Sequence, residues 1–100
     1  MLSFIRYVGD NMTIIKIGAI WCPGCLVMKK VWNNILNDYR DIDILDLDYD
    51  MNSDEVAKYN PGKVLPVVIF LDNNGNELER LIGEQKEEVL REAIDKYEEV

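Results

Sequence analysis

An apolar segment that runs directly into two closely spaced cysteines constrains this chain more than any other feature. Residues 13–20 read Thr-Ile-Ile-Lys-Ile-Gly-Ala-Ile, and residues 21–25 read Trp-Cys-Pro-Gly-Cys. A nearly continuous, β-branched run of this kind is typical of a strand buried on both faces of a sheet. The sequence therefore predicts a buried strand that delivers the cysteine pair to its end.

The residues after the first cysteine have the periodicity of a helix. Between residues 23 and 40, apolar side chains recur every fourth position, at Val27, Val31, Ile35 and Tyr39. This spacing predicts a helix with one face on the core. Pro23 suits the first turn of that helix, where its missing N–H removes no hydrogen bond.

The rest of the chain alternates between strand and helix patterns. Residues 42–49 predict a second strand, and Ser53 predicts the cap of a short helix that the segment at 60–62, Asn-Pro-Gly, ends. Residues 66–71 and 77–82 predict an antiparallel pair of strands, joined by a turn at 72–76. Residues 84–97 predict the last helix. Its apolar side carries Val89, Leu90, Ala93, Ile94 and Tyr97.

This order of elements predicts an α/β fold with one central, mixed four-stranded sheet flanked by three helices. Strand-helix-strand units favour a parallel pair with a right-handed crossover, and the hairpin adds an antiparallel pair. We expect a single domain over residues 1–100, in which residues 1–12 are an N-terminal extension, either an edge strand or a short helix.

Charge and hydropathy limit the classes of partner and the cellular location that the sequence predicts. The formal charge is −8, from 19 acidic and 11 basic residues, which disfavours both nucleic acid and an anionic membrane surface as partners. The first ten residues lack the pattern of an export signal, and no run approaches the roughly 18 apolar residues of a membrane span. We therefore expect a cytoplasmic monomer.

The cysteine spacing points to redox chemistry. In a reducing compartment, paired cysteines are more often catalytic, redox-sensing or metal-binding than structural. A disulfide between Cys22 and Cys25 closes a loop too small to stabilise the fold much through chain entropy. At the predicted helix start, the free N–H groups stabilise a thiolate by at most about 2 kcal/mol. We expect Cys22 to attack a substrate disulfide and Cys25, one turn later, to resolve the mixed disulfide.

Other uses of the two cysteines remain open. They could serve as small buried hydrophobic residues. A zinc site within one chain lacks ligands, because the sequence has no histidine and no further cysteine. A metal or cluster bridged between two copies is a further alternative. The absence of histidine excludes Cys–His catalysis.

With these motifs the chain resembles the thioredoxin family over about residues 13–98. The resemblance rests on the motif at 21–25 after an apolar strand, Val-Leu-Pro at 64–66 before the third strand, Gly75 in the turn and Gly83 after the fourth strand. It implies a thioredoxin-like fold and a thiol–disulfide oxidoreductase that acts on disulfides in protein substrates. It also implies a redox-active disulfide that works without a further cofactor. We expect no metal, because ligands are lacking, and a separate reductase as electron donor, because no Gly-rich dinucleotide loop is present.

The resemblance assigns roles to residues outside the cysteine pair. In the family, the proline that corresponds to Pro66 is cis and lies opposite the cysteines, and the residue before it, here Leu65, offers its backbone to the substrate. The implied substrate-binding surface comprises Trp21, Pro23, Gly24, Leu65, Pro66 and Gly83. Alternatively, Pro66 is an ordinary proline at a strand start, and Trp21 packs into the core.

Two departures from the family bear on mechanism. Pro-Gly rather than Gly-Pro separates the cysteines, which leaves the reaction direction open. Lys16 and Asp46 occupy the places of a buried aspartate and its lysine partner. We hypothesise that these two residues form a catalytic, partly buried ion pair beneath the disulfide, in which Lys16 favours the thiolate and makes the disulfide more oxidising. Alternatively, Lys16 extends to the sheet edge.

Two other functions compete with this interpretation. One is a glutaredoxin-like reductase that uses glutathione, although the chain shows Val-Leu-Pro at 64–66 and a lone Gly83 where that family has Thr-Val-Pro and paired glycines. The other is a binding module whose cysteines only sense redox state, because a fold does not fix a function.

Overall fold

The chain folds into a sheet with helices on both faces in the computed structural model, which describes residues 12–39 and 42–98. The described residues form four strands and three helices. In chain order they are β1 (Thr13–Gly18), α1 (Pro23–Leu36), β2 (Asp43–Asp48), α2 (Ser53–Ala57), β3 (Val67–Leu71), β4 (Glu77–Ile82) and α3 (Glu87–Glu98).

The sheet has the mixed topology that the element order predicts. The strand order is β2-β1-β3-β4, with β1 central and parallel to β2. β1 is antiparallel to β3, and β3 is antiparallel to β4. The predicted α/β architecture, one mixed four-stranded sheet with three helices, is confirmed.

The core divides into two clusters because successive strand side chains point to opposite faces. Ile14 of β1 and Phe70 of β3 face α1 and α3, together with Trp32 and Leu90. The alternate β1 residues Ile15 and Ile17 face α2, and they pack with Leu47, Val56, Val67 and Ile69. Both faces of β1 are therefore covered, as its continuous apolar sequence requires.

The predicted core face of α1 is wrong in part. The buried residues are Gly24, Met28, Trp32 and Ile35. Val27 is 57% exposed, and Val31 and Tyr39 are only partly buried. Four residues advance a helix by more than one turn, so a strict fourth-position series drifts around the axis and leaves the core face. The larger side chains of Met28 and Trp32 occupy the core instead.

The ends of the first two helices also differ from the prediction. α1 starts at Pro23, as expected, but ends at Leu36 rather than at residue 40. Ser53 is the first residue of α2 and not its cap. The cap position belongs to Asn52, whose Oδ1 accepts a hydrogen bond from the Asp48 N–H at 2.8 Å and therefore stabilises the preceding turn.

The strands and the helix after residue 65 match the predicted bounds to within one residue, except at the start of α3. β4 has the predicted bounds, and β3 begins one residue after Pro66. Leu90, Ala93 and Ile94 of α3 are buried on the predicted side. However, α3 begins at Glu87, so that residues 84–86 form a loop instead of the first turn of a helix.

The predicted extension at residues 1–12 lies outside the described residues, apart from Met12, which is buried in the core. The single-domain assignment of residues 1–100 remains a prediction. Within the ranges 12–39 and 42–98, no helix is both long and apolar enough to cross a membrane.

Candidate active site: a disulfide at the start of α1

The two cysteines are joined in a disulfide at the end of β1 and the start of α1. Their Cα atoms lie 5.3 Å apart. Cys22 occupies the N-cap of α1 with an extended backbone, and its Sγ accepts a hydrogen bond from the Cys25 N–H at 3.2 Å. Pro23 takes the first helical position, where no N–H is needed. The first turn of α1 therefore directs its free N–H groups toward the Cys22 sulfur.

Gly18 provides the space beneath the second cysteine. A methyl group added at Gly18 would lie 3.0 Å from the Cys25 Sγ, so a side chain at this position of β1 would require Cys25 to shift. Cys25 is partly exposed, whereas Cys22 is only 4% exposed in this oxidised state. A glycine inside an otherwise apolar strand is the sequence signal that could have revealed this close approach.

Lys16 and Asp46 come together beneath the disulfide. They are register partners on the parallel strands β1 and β2, and Lys16 Nζ lies 3.2 Å from Asp46 Oδ1. The Lys16 side chain is 21% exposed and that of Asp46 is 73% exposed. Lys16 Nζ also lies 4.9 Å from the ring centre of Trp32. The lysine therefore has a carboxylate and an aromatic face as neighbours.

A cleft of about 510 Å³ connects this ion pair with the disulfide. Lys16 and Gly18 lie two residues apart on the same face of β1, and both line the cleft together with Cys25. Asp46, Trp32 and Pro66 complete its walls. Lys16 and the Cys25 sulfur thus share one partly enclosed space.

The outer side of the disulfide is apolar and exposed. Trp21 is 60% exposed, which rules out the alternative that it packs into the core. Its Nε1–H donates a hydrogen bond to Asp50 Oδ2 at 2.6 Å, and its ring meets Tyr49 edge-on with 6.4 Å between centres. The exposed apolar residues Ile20, Val64 and Ile82, which sequence reasoning missed, belong to the segments that carry this surface.

The loop before β3 lies against the site. The Leu65–Pro66 peptide bond is cis, and the buried Pro66 lines the cleft. The Gly83 N–H donates to the Pro66 carbonyl at 2.8 Å, which joins the end of β4 to this loop. The geometry therefore brings Pro66 and Gly83 to the same end of the sheet as Cys25.

Glu84 is a further neighbour that the sequence pattern concealed. A methyl group added at Gly24 would lie 3.0 Å from Glu84 Cγ and 3.1 Å from Glu84 Oε2. Gly24 lies between the two cysteines, so this side chain covers the first turn of α1. The sequence pattern places Glu84 in a helix, which hides this contact.

Comparison with known proteins identifies the family. The thioredoxin family model matches residues 3–96. A thioredoxin of Staphylococcus aureus is 31% identical over 96 residues, which cover 95% of this chain and 90% of that protein.

Solved structures agree with this match. A thioredoxin of Nicotiana alata shares 30% identity with a TM-score of 0.79, over 89% of this chain and 75% of that one. A thioredoxin variant of Halobacterium salinarum superposes with a TM-score of 0.80 at 22% identity, over 91% and 78% of the two chains, and supports the fold. The glutaredoxin-like and non-catalytic alternatives are not favoured. With its cysteine pair at disulfide distance, the chain belongs to the thioredoxin family and is a thiol–disulfide oxidoreductase.

Proposed function

We propose that Cys22 is the attacking thiol of this oxidoreductase and Cys25 the resolving one. The Cys22 thiolate attacks one sulfur of a substrate disulfide, and the other substrate sulfur leaves and takes up a proton. The Cys25 thiolate then attacks Cys22, which releases the second substrate thiol and forms the Cys22–Cys25 disulfide. Two electrons and two protons pass from the protein to the substrate.

The position of Cys22 at the N-cap of α1 is the observation that carries this assignment. Its Sγ already accepts the Cys25 N–H at 3.2 Å, and the same donor serves a thiolate after reduction. Negative charge at a helix N-terminus is stabilised by up to about 2 kcal/mol. Cys25 has a different setting, because its sulfur lies against Gly18 on the inner side of the site.

Protein disulfides are the proposed substrates, bound on the surface formed by Trp21, Pro23, Gly24, Leu65, Pro66 and Gly83. Trp21 offers a large exposed apolar face, and the Leu65–Pro66 segment lies at the same end of the sheet as the disulfide. An extended substrate segment that crosses this surface would place its cystine above Cys22. The hydrogen bond from Gly83 to Pro66 holds the two loops of the surface together.

Lys16 and Asp46 are proposed as positioning residues that act through Cys25. Lys16 shares the cleft with the Cys25 sulfur, and Asp46 orients its ammonium group from the neighbouring strand. A nearby cation favours a thiolate, and stabilisation of the reduced form makes a disulfide more oxidising. On this basis the protein is a weaker reductant than the same fold without Lys16.

The electron donor of the proposed cycle is a separate reductase, because no Gly-rich dinucleotide loop follows a strand in this sequence. We further propose that the protein works as a monomer in the cytoplasm, where its disulfide, without a further cofactor, serves electron transport and redox homeostasis. The charge of −8 gives no reason to expect a nucleic acid or membrane partner.

Reduction of insulin by dithiothreitol tests the proposed function. The wild-type protein should accelerate insulin precipitation, and Cys22→Ser should lose at least about a hundredfold of that acceleration, because the nucleophile is gone. Circular dichroism should show that the variant keeps its fold. Equal activity of the two proteins would contradict the assignment.

A further inference from the structure

The contact between Glu84 and Gly24 places a carboxylate over the first turn of α1, between the two cysteines. Glu84 Cγ and Oε2 occupy the space next to the Gly24 Cα, at 3.0 Å and 3.1 Å from the position that a Cβ would take. Gly24 is buried within this contact. A residue with a side chain at position 24 would force Glu84 to move.

The backbone around Glu84 explains how it reaches this place. Gly83 has a positive φ of 90° and is tied to the Pro66 carbonyl, and residues 84–86 lie outside α3. Glu84 therefore extends from the Pro66 side of the proposed substrate surface to the Gly24 side. A substrate segment on that surface would therefore meet the Glu84 carboxylate at Gly24, the residue that precedes Cys25.

The Glu84 charge is not neutralised within the described parts of the chain. No lysine or arginine among residues 12–39 and 42–98 lies within 4.0 Å of its carboxylate oxygens. Lys16 lies on the inner side and is paired with Asp46.

A second carboxylate lies on the other side of the same surface. Asp50 accepts the hydrogen bond from the exposed Trp21 at 2.6 Å. Glu84 and Asp50 thus flank the outer side of the disulfide through Gly24 and Trp21 respectively. Lys63, in the loop before Leu65, is exposed and adds one opposing charge. Lys86, in the same loop as Glu84, is a second exposed cation, so the preference proposed below rests on the contact of Glu84 with Gly24 and not on the net charge of this surface.

We propose that Glu84 is a specificity-determining residue that selects disulfides flanked by cationic groups and disfavours anionic ones. This inference rests on the proposed substrate surface and names the substrate class for it. The carboxylate attracts a neighbouring ammonium or guanidinium group of the substrate and repels carboxylates, such as those of glutathione disulfide. The chemistry is unchanged, since the reduced protein still passes two electrons and two protons to the disulfide.

Three small disulfides of different charge test the proposal. They are cystamine with two ammonium groups, bis(2-hydroxyethyl) disulfide with none, and 3,3′-dithiodipropionate with two carboxylates. The protein is reduced with dithiothreitol, freed of reductant and mixed with each compound. Alkylation of the remaining thiols at set times gives the rates. The ratio of the cystamine rate to the dithiodipropionate rate measures charge preference.

Wild-type protein should prefer cystamine, and Glu84→Gln should lower the rate ratio about sevenfold at low salt, because one unit charge some 7 Å away in water changes each of the two rates about threefold and in opposite directions. Glu88→Gln is the matched control, because it removes the same charge from the exposed start of α3 and should leave the ratio unchanged. Added salt should reduce the wild-type preference.

The outcomes separate this inference from the proposed function. Turnover of all three disulfides with the same ratio in wild type and Glu84→Gln would overturn the role of Glu84 alone. An equal fall of the ratio in Glu84→Gln and Glu88→Gln would also overturn it, because net charge would then explain the preference. Absence of turnover with every disulfide would overturn the proposed function, and the inference with it.

Discussion

The inner and outer sides of the disulfide differ in how their charged groups are paired. On the inner side, the Lys16 ammonium lies in the cleft with Cys25 and is paired with Asp46 at 3.2 Å. On the outer side, the Glu84 carboxylate lies against Gly24, and no lysine or arginine of residues 12–39 and 42–98 lies within 4.0 Å of it. The inner charge is paired with Asp46, and in the proposed mechanism it acts on the protein's own sulfur. The outer charge is available to a substrate. In these proposals the inner side sets the reduction potential of the disulfide, and the outer side sets its substrate preference.

The largest expected effect concerns which cysteine attacks the substrate and which one resolves the mixed disulfide. With an excess of a protein disulfide, Cys25→Ser should accumulate a covalent mixed disulfide through Cys22, because the resolving thiol is absent. Cys22→Ser should accumulate at least about tenfold less, since its remaining thiol lacks the N-cap position. Mass spectrometry of the intact adducts measures both.

The burial of Cys22 makes this a demanding test. Cys22 is 4% exposed in the disulfide state, and Cys25 is partly exposed to the cleft. If Cys22→Ser formed the adduct and Cys25→Ser did not, the two thiols would have exchanged roles, and the inner side would be the side of attack.

Replacement of Lys16 tests the inner side alone. Lys16→Met should lower the reduction potential by about 20 mV, equivalent to about 1 kcal/mol for two electrons, because loss of the cation destabilises the thiolate form. Equilibration with glutathione or dithiothreitol buffers measures the potential. Lys30→Met removes the same charge from the exposed face of α1 and should match wild type. A potential for Lys16→Met equal to that of wild type would remove Lys16 from the mechanism.

A substitution at Gly24 tests the Gly24–Glu84 contact of the outer side by changing Gly24 instead of Glu84. Gly24→Ala should push the Glu84 carboxylate away from the first turn of α1 and weaken charge preference, as Glu84→Gln does. The double variant should show no further loss, because both changes remove one contact. The exposed Glu84 side chain can move at small cost, so the free energy of unfolding should change by no more than about 1 kcal/mol. Additive effects on the rate ratio would contradict a shared contact.

The turn between β3 and β4 provides a carboxylate for comparison with Glu84. Hydrogen bonds hold the pKa of Asp72 below its usual value, first that from the Asn76 N–H at 2.8 Å and then that from the Asn74 N–H at 2.9 Å. A lowered pKa means that this stabilisation is complete above the unfolded-state pKa of 3.8 and is lost as the pH falls through the lower folded-state value.

Asp72→Ala should therefore be less stable than wild type at neutral pH, by the smallest margin of the changes considered, and the difference should shrink in acid. Urea unfolding between pH 7 and pH 2 measures it. A stability difference that grew as the pH fell would contradict the assigned hydrogen bonds.

Local sequence patterns predicted the scaffold of the site well. The junction of β1, the cysteines and α1 follows from a buried β-branched run and a proline at the first helical position, both of which are local signals. The register that joins Lys16 to Asp46 is a contact between strands, and only the family resemblance anticipated it. A fourth-position repeat wrongly predicts Val27 in the core, because such a repeat ignores the drift of a helix.

The position of Glu84 on the outer side could not be predicted from the sequence, because it depends on contacts between residues that are far apart in the chain. Residues 84–86 have the polar composition of a helix start, so propensity alone extends α3 back to Glu84. The hydrogen bond from the Gly83 N–H to the Pro66 carbonyl directs residues 84–86 away from the path of α3. This contact joins positions 17 residues apart in sequence. The Gly24–Glu84 contact spans 60 residues and leaves no periodic trace.

The placement of the two tryptophans gives the protein a built-in optical readout. Trp21 is 60% exposed beside the outer side of the disulfide, and Trp32 is 3% exposed beside Lys16 in the inner cleft. Indole emission shifts to longer wavelength in water, so the two rings should emit at separable wavelengths. Substrate binding should perturb the red emission of Trp21, whereas a change of charge at Lys16 should perturb the blue emission of Trp32. Changes at the red and blue edges of the emission spectrum should therefore report on the outer and inner sides of the redox centre respectively, without a label.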